Sequence, residues 1–172
     1  MMFLPGMERD QALVDVLMAK YNPSRRLPIT YPKYNHRLST YDYEWCEALL
    51  DNTVDVEFEF GHGLSYTTFV YSHLNVSSTI KWNDSRQGDH TVLLFISDIY
   101  RSITPPNKEL KGYTKLSLDP SEQQQIHFIL NQTDLSFIGL NLTRQTEPGL
   151  FIVTVGDLQA NFTLLADDIH SD

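Results

Sequence analysis

Positive charge is scarce in this chain. Its 172 residues carry 13 Lys and Arg against 22 Asp and Glu, a net charge of -9. No basic run is longer than Arg25-Arg26. A phosphate backbone needs a basic face, so no nucleic-acid partner is expected. Cysteine is rarer still: Cys46 stands alone, so no disulfide closes within the chain and no Cys-based zinc set exists. The six histidines, at 36, 62, 73, 90, 127 and 170, include no pair three or four apart. Neither a metal nor a cofactor is expected from such scattered ligands. No apolar run approaches the ~20 residues that cross a bilayer as a helix, so no membrane span is expected. The opening "MMFLPG" lacks the charged start and apolar centre of a signal peptide, and none is expected in this chain.

What is present suffices for a core. Hydrophobic residues make up 41% and aromatics 12%, a composition outside the disordered class. The length suits one domain, or one domain with an appendage. Five asparagines begin N-x-[ST] without an intervening proline: Asn75, Asn83, Asn131, Asn141 and Asn161. Nine Asn and 27 Ser/Thr give about 1.4 such triplets by chance. The excess points to N-glycosylation candidates on a chain that passes through a secretory pathway.

Periodicity changes along the chain. Residues 8 to 20, "ERDQALVDVLMAK", place Ala12, Leu13, Val16 and Leu17 on one helical stripe, ending at Asn22-Pro23. A helix this short needs a partner surface for that stripe. From Pro23 to about Asp55 the chain reads as irregular but rich in Tyr and Trp, a segment suited to wrapping on another surface. From Val54 the period is two: Val56, Phe58 and Phe60 face one way, and Glu57 and Glu59 the other. Seven β-candidates follow, at 69–76, 79–82, 91–99, 113–118, 125–130, 150–155 and 161–165. Turn signals such as "NDSRQGD", "TPPN", "LDPSE" and "VGD" separate them. Short strands at this spacing with no helix between them imply a mainly β chain, an antiparallel β-sandwich preceded by a short helix and an irregular linker. The return from the first strand lacks an evident turn at Val76-Ser77-Ser78, which implies either a missing segment or a short first strand.

The densest local signal is "VEFEFGHGLSYTTF", residues 56 to 69. It imitates two catalytic motifs and completes neither. A nucleophile elbow needs glycine where Thr67 stands, and a phosphate loop needs glycine where Tyr66 stands. The row Asp55, Glu57, Glu59 fails as a glycosidase pair, because neighbours on one strand face approach a sugar from the same side. No residue is therefore expected to be catalytic. Gly61 and Gly63 mark a sharp turn needing positive φ or a close backbone approach. Phe58, Phe60, Leu64 and Tyr66 are expected to pack around it.

These residues and their neighbours resemble glycoside hydrolase family 3, the β-glucosidases and β-xylosidases. "FGHGLSYTTF" is similar to the opening of that family's C-terminal fibronectin type III-like domain. "LPGMERDQALVDVLMAKYNPSRRLPITYP" resembles the end of its α/β sandwich domain, whose usual form is P-G-x-E-G-G-x-A-x-A-D-V-L-x-G-x-x-N-P-S-G-x-L-P-x-T. "KELKGY", "LDPSE", "DLSF" and "EPGLFIVTVG" resemble later family motifs. Departures include Arg9-Asp10 for a glycine pair, Arg25-Arg26 around another glycine, and Ser121 for a turn glycine.

The resemblance implies four parts. Residues 1–32 are the end of an α/β domain, 33–67 a linker and seam, 68–166 a fibronectin type III/immunoglobulin-like sandwich, and 167–172 a tail. It further implies a non-catalytic C-terminal part of an O-glycosyl hydrolase. The family's nucleophile and acid/base belong to regions that this sequence does not contain, so turnover by the chain alone is not expected. Its partners would be the family's N-terminal (β/α)8 and α/β domains, with oligosaccharide as the ligand class. His62 is the candidate for facing the sugar site from its rim. An extracellular, secretory or lysosomal setting is expected for the parent protein. The alternative is a stand-alone carbohydrate-binding or adhesion-type sandwich, in which exposed aromatics stack on sugars.

Overall fold

A computed structural model describes residues 9–34, 56–66, 69–72, 77–82, 88–166 and 169. The helix α1 spans Arg9–Leu17, shorter than the sequence pattern. It ends in a left-handed residue, Ala19 (φ 55°). Lys20 N–H reaches the Asp15 carbonyl at 2.8 Å, and Ala19 N–H the Val16 carbonyl at 2.9 Å. This pair of bonds is the Schellman closure, which usually places glycine at the left-handed position. The family pattern has glycine here, a departure that the sequence reading missed.

The irregular linker is not wholly irregular. β1 (Tyr31–Pro32) pairs antiparallel with β2 (Val56–Phe58), with Tyr31 opposite Phe58. Their rings lie 6.3 Å apart. Residues 35–55, including Cys46, Trp45 and the tyrosines at 41 and 43, lie outside the described residues.

Among the described residues the sandwich has seven strands. β3 (Phe69–Ser72), β4 (Ser77–Trp82) and β7 (Gln123–His127) form one sheet. β11 (Leu158–Leu164), β10 (Gly149–Val155), β5 (Gly88–Asp98) and β6 (Glu109–Leu118) form the other, in that order. All five pairings within the two sheets are antiparallel. Each β-candidate of the sequence reading corresponds to one strand. The first hairpin forms: Ser72 pairs with Thr79 and Phe69 with Trp82. The first strand is described over Phe69–Ser72, and residues 73–76 of that candidate lie outside the described residues. A further pair, β8 (Phe137–Ile138) with β9 (Arg144–Gln145), closes the long crossing before β10.

The core lies between the two main sheets. Val92, Leu94, Leu116, Leu118, Ile126 and Val155 are buried together, with Phe128, Leu130 and Val153 against them. Alternation along β5 assigns the even positions 92, 94 and 96 to the buried side. The odd positions are covered as well. Thr91 Oγ1 donates to the Ser24 carbonyl at 3.0 Å, and Phe95 meets Phe60 edge-on at 5.9 Å. β5 is thus buried on both faces, and the segment before the sandwich supplies the second cover. A bulge opposite Leu94 and Phe95, with Lys111 the extra residue on β6, bends the sheet at this point.

Candidate functional site

The seam at residues 58–66 is where the pre-sandwich segment meets β5. Gly61 has φ 81°, a conformation that side chains resist. A Cβ there would lie 2.9 Å from Leu93 Cδ1 and 3.0 Å from Phe95 Cζ. Gly63 is constrained differently: its Cβ would lie 2.7 Å from the Arg25 carbonyl oxygen. One glycine supplies the positive φ and the other the close approach.

Hydrogen bonds across some forty residues of sequence lock the turn. Leu27 N–H donates to the His62 carbonyl, and Gly61 N–H to the Leu27 carbonyl, both at 2.8 Å. Arg26 Nη1 donates to the Gly63 carbonyl at 2.9 Å. Asn22 Oδ1 accepts from Ser65 Oγ at 2.9 Å and from Tyr66 N–H at 3.0 Å. Asn22 was legible only as a helix stop, and Arg26 only as part of the Arg25-Arg26 pair that replaces a family glycine. Arg26 has no positive φ, so it costs no backbone strain and contributes a latch.

The side chains named from the sequence separate into two groups. Phe58 stacks on His62, with ring centroids 4.8 Å apart, and Phe60 reaches Phe95. Leu64 is 77% exposed and Tyr66 is also exposed. Packing at Leu64 and Tyr66 therefore requires a surface from outside the described residues. On α1, Ala12, Leu13 and Leu17 of the expected stripe are exposed while Val16 is half-buried, and Val14 and Met18 beside the stripe are exposed as well.

A cleft of about 450 Å³ opens beside the turn. Arg26, Glu59, Lys108 and Asp157 are its charged lining, with His62 and His90 beside them. Glu59 is paired with Lys108 at 2.6 Å, and its side chain is 69% exposed. Glu57 and Asp157 are exposed too. A glycosidase acid needs a carboxyl whose proton is held by burial, and these carboxylates are solvated. Lys108 also lies 5.2 Å from the Phe95 ring. His90 is buried, and desolvation first, then the Arg26 charge, push its pKa down to about 4. His90 is thus neutral at physiological pH. Among the described residues no group of His, Cys, Asp and Glu is arranged to hold a metal ion.

Three of the five sequons fall in described segments. Asn131 caps the short 3-10 helix η1 (Gln132–Leu135), Asn141 lies in the β8–β9 turn, and Asn161 sits in β11. All three are exposed. Asn75 and Asn83 lie outside the described residues.

Comparison with known proteins accounts for this architecture. Residues 1–66 match the glycosyl hydrolase family 3 C-terminal domain, and residues 90–159 match the fibronectin type III-like domain. A lysosomal beta glucosidase of Dictyostelium discoideum is 35% identical, over 95% of this chain and 22% of its own length. A periplasmic beta-glucosidase of Salmonella typhimurium is 30% identical, over 88% of this chain and 23% of its own length. The crystal structure of a beta-glucosidase from Listeria innocua in complex with isofagomine is 27% identical, with a TM-score of 0.74, over 94% of this chain and 27% of that one. The chain spans less than a quarter of the length of the two curated relatives. Among the described residues no helix is long and apolar enough to cross a membrane. With one matched region at each end of the seam and glucosidase relatives aligned along nearly all of it, the chain belongs to glycosyl hydrolase family 3, corresponding to the C-terminal part of its longer members.

Proposed function

We propose that this chain is a structural, non-catalytic element of a β-glucosidase- or β-xylosidase-type enzyme, where it buttresses the domains that carry the chemistry. The observation that carries this reading is the unpartnered apolar surface before and at the seam. Leu13, Val14, Leu17, Met18, Leu64 and Tyr66 are exposed, while the sandwich behind them has a closed core. Apolar surface gathered in one region marks an interface. The natural boundaries on this reading are 1–32 for the end of an α/β domain, 33–67 for linker and seam, 68–166 for the sandwich and 167–172 for a tail. The partners are then the (β/α)8 and α/β domains of a longer enzyme, His62 stands at the rim of their sugar site, and the setting is extracellular, secretory or lysosomal.

A graft tests it. The Dictyostelium relative is prepared without its corresponding C-terminal region, and with that region replaced by this chain. The graft is expected to restore a higher Tm and glucosidase activity, and Leu17→Asp with Leu64→Asp should remove the gain. The isolated chain should turn over no chromogenic β-glucoside. A graft no better than the deletion overturns the reading.

The cleft favours a second reading, a carbohydrate-binding module. Its volume falls within the ~300–1,000 Å³ range of small-molecule sites. Saturable binding of oligosaccharides by the isolated chain, lost in His62→Ala, would support it; flat titrations would exclude it.

A further inference from the structure

The segment between β7 and β10 carries an apolar surface for which the sandwich gives no reason. Ile129 is 91% exposed, Leu140 89% and Leu142 84%, and Ile138 is half exposed. Leu142 adopts φ 60°, and both leucines are exposed on either side of Asn141. Asn131 lies two residues beyond Ile129. Both asparagines begin sequons, and both are exposed.

We propose that Asn131 and Asn141 carry N-linked oligosaccharides, and that these glycans shelter the apolar 129–142 surface. The local bonding suits the modification. Asn131 Oδ1 accepts from Asp134 N–H at 3.2 Å and from the Thr133 hydroxyl. Asn141 Oδ1 accepts from Thr143 N–H at 3.1 Å and Thr143 Oγ1 at 2.7 Å. Both turns are held through Oδ1, while each Nδ2 points no hydrogen at a described partner. Glycosylation acts on Nδ2 alone. An Nδ2–C1 bond forms to a sugar from a lipid-diphosphate-linked oligosaccharide. The C1–O bond to the diphosphate breaks, the lipid diphosphate leaves, and one amide proton passes to a base on the transferase. Oδ1 keeps its acceptor role, so the η1 cap and the β8–β9 turn survive. Asn161 differs: it lies within a strand rather than a turn, with Gln159 and Thr163 as its same-face neighbours on β11 and Ile152 opposite it on β10.

The test uses the full chain, secreted from a eukaryotic host behind a cleavable leader. Peptide N-glycosidase treatment in heavy-oxygen water, then peptide mass spectrometry, marks each occupied asparagine. Label is expected at Asn131 and Asn141. Asn131→Asp and Asn141→Asp keep Oδ1 and should each lose one glycan with unchanged Tm. Deglycosylated chain should bind an apolar dye about two-fold or more above the glycosylated chain, because the patch is uncovered. Leu140→Ser with Leu142→Ser should cancel that increase. A secreted chain unlabelled at both sites overturns the proposal. Label without any change in dye binding overturns the sheltering role.

Discussion

Replacing Gly61 with alanine tests the seam directly. An L-residue held at φ 81° costs about 1–2 kcal/mol against glycine. The new methyl also falls inside contact distance of Leu93 Cδ1 and Phe95 Cζ. Leu93 can swing its tip away, but Phe95 is buried and pinned by Phe60 and Lys108. Overpacking of this kind costs about 1–3 kcal/mol. The expected loss is about 2–4 kcal/mol, read by urea unfolding. For a chain of this length that corresponds to a fall of roughly 5–15 °C in Tm. Gly149→Ala is the control: its φ is not positive, and its Cβ would meet only the Tyr100 carbonyl oxygen, at 3.6 Å. It should change stability by less than about 0.5 kcal/mol. Leu93→Ala combined with Gly61→Ala should recover part of the loss, because the two sites share one space. A Gly61→Ala loss under about 1 kcal/mol, or strict additivity with Leu93→Ala, would refute the close-packed seam.

The left-handed residues run the other way. Ala19→Gly and Ser121→Gly should each raise stability by up to about 1 kcal/mol in thermal melts, since both sit at positive φ; no gain would mean that the turns are held open by other contacts. His90 gives a pH dependence. Its folded pKa of about 4 lies below the ordinary 6.5. The unfolded chain therefore binds the extra proton, and stability present above pH 6.5 is lost as pH falls toward 4. The loss should reach at most about 3 kcal/mol, and a urea series from pH 7 to 4.5 should show a shallower slope in His90→Asn. The Glu59–Lys108 pair is solvent-facing, so Glu59→Gln should cost under about 1 kcal/mol by denaturant midpoint and lose its effect in high salt.

The elements legible beforehand were those with a local signal. Alternation, apolar runs and turn residues placed the sandwich strands, because a strand with one buried face leaves a period of two in the sequence and β5, covered on both faces, leaves a short continuous apolar run. The Gly61–Gly63 turn was legible because only glycine fits positive φ or a backbone brought to contact distance. Ala19 escaped notice because alanine carries no turn signal, although its hydrogen bonds close the helix as a glycine would. β1 escaped because two residues cannot display a period, and Pro32 argues against a strand when read alone.

The sequence by itself determined the strand positions, the β-sandwich class, the acidic surface and the sharp turn before the sandwich. These follow from short-range rules that each residue obeys with its near neighbours. Only the tertiary structure decided that Asn22, Arg26 and Leu27 latch onto Ser65, Gly63 and His62, and that Phe60 covers the second face of β5. It also decided that Glu59 faces Lys108 in an open cleft and that His90 is buried. Those contacts join residues some thirty to sixty positions apart. No periodicity encodes such pairings, because they arise only when packing brings two separately formed segments onto one sheet.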